Sequence, residues 1–278
     1  MLPGGTIICR VALPPFLTVT ELQALSEPST TLKIVDARTE RAYQQEHLPG
    51  AANLPARDLN PLRSGIRHLI AEDQLEQKLT HLGIGREPIV IYGAKGGADA
   101  AHVWWTLQAY GHPAVYLLDG GIEAWHAAGL PVGNETPTPV TIEEPFKPTF
   151  DPAAVIELTE LSARLEDPNL VLLDTRSAEE YRGEDVAAKR GGHIPGAQLL
   201  PWDDLLGSDL RLHATERLRT RLAAFMEATE VATYCQSGVR AAHTYAVLKA
   251  LGHPKPRLYL ASWAEWGNLD ETPIASTD

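Results

Sequence analysis

The sequence predicts an α/β protein built from two tandem domains, each a small, mostly parallel sheet flanked by helices. Three observations predict it. Short apolar runs ending in polar residues alternate with longer helical segments, the order that lays strands side by side with helices on both faces. That order occurs twice in the 278 residues. A stretch with six prolines, Ala128 to Pro152, separates the two occurrences, and such composition makes an extended, semi-rigid connector.

The repeat is explicit. FLTVTELQAL...LKIVDARTERAY, from Phe16 to Tyr43, matches VIELTELSARL...LVLLDTRSAEEY, from Val155 to Tyr181. HLPGAANLP from His47 matches HIPGAQLLP from His193, and IVIYGAKGGADAAHVWW from Ile89 matches VATYCQSGVRAAHTYA from Val231. GGIEAW ending at Trp125 matches ASWAEW ending at Trp266. The second copy is longer around RGEDVAAKR, just before its histidine motif. These matches predict domains over 1–131 and 151–278, joined by a linker over 132–150.

The elements follow in order. Thr20 and Thr159 precede Glu-Leu and helical spacing, which predicts both as N-caps. LKIVDA, LVLLDT, PIVIYG and VATYC read as buried strands. AAHVWWTLQAYGH and AAHTYAVLKALGH read as helices stopped near glycine. In parallel sheets ligands bind beyond the carboxyl ends of the strands.

Composition narrows the function. A hydrophobic content of 44% with 22% charged residues suits a globular chain with real cores, and a net charge of -12 argues against nonspecific nucleic-acid binding. No apolar run reaches the roughly 18 residues of a membrane span. The N-terminus lacks a basic region and is broken by Gly and Pro, a poor signal peptide, so a cytoplasmic location is expected. Cys9 and Cys235 are the two cysteines. They make neither a disulfide framework nor a metal cluster, and neither metal nor organic cofactor is expected. Cys9 reads as packing.

Cys235 is different. It ends an apolar strand and is followed by Gln236, Ser237, Gly238, Val239 and Arg240, then by a helix. The first N–H groups of a helix have no internal partner and carry the positive end of its dipole. A tight loop aims several of them at one point. Free thiols titrate near pH 8.5, and helix N-termini or nearby cations stabilise the thiolate. Arg240 supplies a cation, expected to bind the substrate anion, with pairing to an acid as the alternative. The matching segment of the first copy, Gly93 to Asp99, has no cysteine and is one residue longer. One working site and one silent scaffold domain are therefore expected.

Strand, Cys, short loop and helix, duplicated, with DxR...EY...GHIPGA upstream and SWxEW downstream, resembles the rhodanese family. The resemblance covers nearly the whole chain and is to the tandem-domain sulfurtransferases with a silent first domain. It implies a double displacement. The Cys235 thiolate takes the outer sulfur of a donor, thiosulfate by preference, and passes it from a persulfide to cyanide, a thiol or a dithiol. It implies that Gln236, Ser237, Gly238, Val239 and Arg240 bind substrate, and that Asp174 and Arg176 buttress the loop.

Alternatives are defined by the same residues. Phosphatase loops resemble Cys-x5-Arg, whereas this one is Cys-x4-Arg. A noncatalytic binding module fits the first copy but not the second. Mercaptopyruvate enzymes typically carry Cys-Gly-Ser-Gly-Val-Thr, from which Gln236 and Arg240 depart. Their proposed Ser–His–Asp relay would fall on Ser237, His47 and Asp36, although His47 and Asp36 recur as His193 and Asp174. Those enzymes hold the substrate carboxylate with an arginine where this chain has Glu180. Arg182, Lys189 or Arg190 would have to substitute, and Arg182 is carried forward as a substrate-binding candidate.

Overall fold

The computed structural model describes residues 13–25, 31–135, 142 and 144–276. Cys9 and part of the proline-rich linker lie outside them. In the first half, strands β1 (Phe16–Leu17), β2 (Lys33–Asp36) and β3 (Ala52–Asn53) are separated by helices α1 (Val19–Leu25) and α2 (Glu40–Gln45). A small antiparallel hairpin follows, β4 (Leu62–Arg63) and β5 (Ile66–Arg67). Then come α3 (Glu72–His81), β6 (Ile89–Tyr92), α4 (Ala98–Ala109), β7 (Val115–Leu118) and α5 (Gly121–Ala127).

The second half repeats the plan. It runs α6 (Leu158–Ala163), β8 (Leu170–Asp174), α7 (Ala178–Arg182), β9 (Gln198–Leu199), α8 (Thr215–Met226), β10 (Glu230–Tyr234), α9 (Val239–Ala250), β11 (Pro256–Leu258) and α10 (Ser262–Trp266). The first sheet has the order β1-β7-β6-β2-β3 and the second β11-β10-β8-β9, all neighbours parallel. A single bridge, Val155 to Leu258, takes the place of β1 in the second sheet.

The helix caps differ from expectation. Thr18, not Thr20, caps α1: its hydroxyl accepts from the Glu21 N–H at 3.2 Å, and Glu21 reaches back to the Thr18 N–H at 2.7 Å. This reciprocal capping box satisfies two orphan donors. Thr159 lies inside α6, whose first flanking residue is Glu157. The Glu-Leu spacing found the helices but placed their starts two residues late.

α4 and α9, the helices that follow the two equivalent loops, pack against each other and join the halves. Trp104 lies against Tyr245 with ring centroids 6.2 Å apart, and His243 sits between Phe16 and Trp202. One apolar cluster runs through both halves, from Val35 and Trp105 to Cys235 and Leu248. Burying a tryptophan removes about 150–250 Å² from water, worth roughly 4–6 kcal/mol. The interface is therefore core, not a sliding contact. Burial pushes His102 down to about 3 and His243 down to about 4, so both are neutral interior rings.

Candidate active site

Cys235 follows the last residue of β10, the central strand beside β8. Its thiol is buried among the core residues. The loop is held from α10: the N–H groups of Trp263 and Ala264 donate to the Cys235 and Gln236 carbonyls at 3.0 and 2.9 Å. Ser262 accepts from the Cys235 N–H at 3.2 Å and donates to the Tyr259 carbonyl at 2.7 Å. Gly238 turns the chain into α9 at φ +82°. A Cβ there would stand 2.6 Å from the Leu260 carbonyl oxygen, so only glycine fits.

Among the described residues, no backbone carbonyl accepts from the N–H groups of Gln236, Ser237, Gly238, Val239 or Arg240. They are the orphan donors of a helix start, in the loop that Cys235 opens. The equivalent loop of the first half is different. There the Lys95 N–H is taken by the Glu123 carboxylate at 2.9 Å. The first-half loop carries an anion of its own.

Asp174, Arg176 and Tyr234 form one buried cluster at the carboxyl end of the sheet. Arg176 Nε lies 3.0 Å from Asp174 Oδ1 and Nη2 2.6 Å from Oδ2. The Tyr234 hydroxyl donates to Asp174 Oδ2 at 2.6 Å and accepts from the Ile194 N–H at 3.1 Å. Arg176 also donates to the Gly192 carbonyl at 2.7 Å and lies over the Trp263 ring at 4.5 Å. Burial, then the Asp174 charge, push the Tyr234 hydroxyl far up. Tyr234 adjoins Cys235, so the cluster fixes where the loop begins. Trp263 and Trp266 are buried core rings.

The first half repeats this cluster almost atom for atom. Arg38 grips Asp36 at 3.0 and 2.6 Å, and Tyr92 reaches Asp36 at 2.5 Å. His47 and His193 stack on Tyr43 and Tyr181 at 4.0 and 3.6 Å. The recurring Asp, Arg, Tyr and His are thus the sheet's scaffold in both halves. This corrects the relay expectation. The His47 ring nitrogens face the Tyr43 and Glu135 carbonyls at 2.8 and 3.0 Å, and Asp36 is taken by Arg38 and Tyr92. Neither is presented to Ser237.

Two arginines also stand elsewhere than expected. Arg240 places Nη1 and Nη2 on Glu180 at 2.6 and 2.8 Å, the acid-paired alternative. Burial works against its charge, but Glu180 and Cys235 raise it further above its ordinary value. Burial likewise pushes Glu180 up, and Arg240 outweighs this and holds the carboxyl below the usual range. Arg182 is not gathered to the loop. It is part-exposed and forks onto Glu184 at 2.8 Å, because α7 ends there at Gly183. Arg190 is spent on the Trp266, Leu269 and Thr272 carbonyls. Gln236 ties the loop to the inserted segment by donating to the Ala187 carbonyl at 3.2 Å.

A cleft of about 570 Å³ lies against the segment that backs Gly238, bordered by Arg63, Arg67 and Leu69 of the first half and by Tyr259, Leu260 and Ala261 of the second. Arg67 carries no recurring motif and was not singled out from sequence. Its only signal there is a basic hairpin, Arg63 and Arg67, in an acidic chain.

A buried thiol at a strand's carboxyl end, inside a Cys-x4-Arg loop on a duplicated α/β scaffold, defines the class: a tandem sulfurtransferase. The comparisons agree. The rhodanese-like domain family matches residues 18–128 and 157–269. The chain is 39% identical to a probable 3-mercaptopyruvate sulfurtransferase of Pseudomonas aeruginosa, over 100% of this chain and 98% of that one. It is 34% identical to a thiosulfate sulfurtransferase of Azotobacter vinelandii, over 95% and 97%. The crystal structure of YnjE superposes with a TM-score of 0.84 over 96% of this chain and 70% of that chain, at 24% identity, a likeness of fold. The chain belongs to the tandem rhodanese-like sulfurtransferases.

Proposed function

We propose that the protein moves sulfane sulfur from thiosulfate, through a persulfide on Cys235, to cyanide or a thiol acceptor. The observation that carries this reading is the buried Cys235 thiol at the head of a loop whose backbone N–H groups are uncommitted. The thiolate attacks the outer sulfur of thiosulfate. The sulfur–sulfur bond breaks, sulfite leaves with the electron pair, and a Cys235 persulfide anion remains. Cyanide then attacks the terminal sulfur and leaves as thiocyanate, returning the thiolate. The free N–H groups of Gln236, Ser237, Gly238, Val239 and Arg240 suit the negative terminal sulfur. Asp174 and Arg176 act as positioning residues.

In this reading residues 151–278 form the working domain, 1–131 the silent one and 132–150 the linker, in the cytoplasm. The Glu123 carboxylate on the Lys95 N–H supports the silence of the first loop. 3-Mercaptopyruvate is the second donor reading, favoured by the name of the Pseudomonas relative.

The test is mass spectrometry of the intact protein before and after thiosulfate, then after cyanide. A gain of about 32 Da on the Cys235 peptide, removed by cyanide and absent in Cys235→Ser, is expected. Loading by 3-mercaptopyruvate but not thiosulfate would replace the donor. Loading by neither would end the sulfur-transfer reading.

A further inference from the structure

Three arginines of the second domain are committed to acids. Arg240 is paired with Glu180, Arg176 with Asp174 and Arg182 with Glu184. Each pair is close to neutral as a unit. An anionic sulfur donor entering the loop meets backbone dipoles and, in Arg240 and Arg176, arginines already paired with acids.

Arg67 comes from the other domain. Its strand β5 packs against α10, whose first N–H groups hold the Cys235 and Gln236 carbonyls. The hairpin and the reactive loop therefore share one support. The guanidinium is fixed from one side: Nη1 donates to the Asn60 carbonyl at 3.1 Å. Asn60 is itself anchored to α4, where the Thr106 hydroxyl donates to its Oδ1 at 2.8 Å. The other side is open. Nε is buried with no hydrogen-bond partner, and among the described residues no carboxylate lies within 4.0 Å of the group.

A part-buried guanidinium with a buried, unpartnered Nε favours an anion that completes it. Burial lowers the Arg67 charge preference, and Cys235 and Asp99 offset part of that loss. Asp99 holds in α4 the place that Arg240 holds in α9, each directly preceding Ala-Ala-His. Arg67 thus lies within electrostatic reach of Asp99 in the first half and of Cys235 in the second. The adjoining cleft also carries Glu157 and Glu265, the latter taken by the Tyr259 hydroxyl at 2.6 Å.

We propose that Arg67 binds the anionic end of the sulfur donor at Cys235, so that the first domain completes the active site of the second. This rests on the sulfur-transfer reading for the identity of the anion, sulfonate or carboxylate, but not for the anion site itself. Arg63, exposed on the same hairpin at the cleft, extends the positive approach.

Two readouts separate the claims. The first is protection of Cys235 against iodoacetamide, a neutral alkylating agent, by sulfate, an inert dianion. Sulfate is expected to protect the parent, and Arg67→Gln to require about tenfold more sulfate or greater, with Arg67→Lys between them. Alkylation without sulfate should stay within about threefold of the parent, because the loop and its helix are intact. The second readout is the thiosulfate concentration that half-saturates Cys235 loading, which should rise by about tenfold in Arg67→Gln. Equal sulfate protection in parent and Arg67→Gln overturns the proposal. So does a loss of loading matched by an equal loss of alkylation without sulfate, which would mean a role in the fold. Parent protein that sulfate protects but no donor loads would overturn the sulfur-transfer reading and leave the anion site standing.

Discussion

Arg240 and Glu180, sixty residues apart in the chain, meet through two hydrogen bonds of 2.6 and 2.8 Å beside the reactive thiol. Glu180 also closes the capping box of α7 with Ser177. The acid thus fixes a helix start and takes the charge of the loop's own arginine. Such bidentate pairs are strong and directional.

Glu180→Gln keeps the shape and the capping oxygen and removes the charge. Arg240 is then free to meet the donor. The half-saturating thiosulfate concentration should fall by about threefold, while stability falls by about 1–2 kcal/mol. Steady-state kinetics and a urea melt read both. An unchanged or higher half-saturation value would show that the pair does not limit anion binding.

Gly238 and Gly97 are equivalent turn residues with different surroundings. Both have positive φ, +82° and +79°, but only Gly238 faces a close carbonyl. Gly97→Ala should cost about 1–2 kcal/mol from backbone strain alone and leave sulfur transfer intact. Gly238→Ala should lose most transfer as the loop shifts off Leu260. Equal activity in the two variants would disprove this reading of the loop.

Tyr234→Phe and Tyr92→Phe each remove one hydroxyl that donates to an aspartate and accepts from a backbone N–H. Each should cost about 1–3 kcal/mol. Only Tyr234→Phe should slow Cys235 loading, because only Tyr234 adjoins a nucleophile. Matching losses of activity would mean the clusters serve global stability alone.

Two carboxyls give opposite pH signatures. Burial pushes Asp119 up to about 6, even though it accepts from the Leu212 N–H across the interface. The folded protein therefore binds this proton more tightly than the unfolded chain. Stability from this group is present below about pH 4 and lost as pH rises through about 6. Asp119→Asn should abolish that decline, a difference of roughly 2–3 kcal/mol above pH 6. Glu230 is the reverse. Burial pushes it up, but Arg257, Lys255 and Arg164 hold it down at about 2. Its contribution is present above about pH 4.5 and fades as pH falls toward 2. Melting curves of parent and Asp119→Asn from pH 4 to 8 decide the first case, and of Glu230→Gln from pH 2 to 6 the second.

The sequence by itself determined the duplication, the parallel sheets, the strand ending at Cys235 and the glycine turn into α9. These rest on short-range periodicity and local backbone requirements, which are written in consecutive residues. It also separated scaffold from site where motifs recurred: His47 and His193 stack on Tyr43 and Tyr181 in the same way because they hold the same corner. Only the tertiary structure decided which charges are committed. Arg240 turned to Glu180, Arg182 turned outward to Glu184, and the Arg67 strand of the first domain came to pack against α10 of the second. Ion pairing depends on which side chains reach within a few ångströms after helices α4 and α9 dock. That is a property of packed geometry, and no spacing within either domain encodes it.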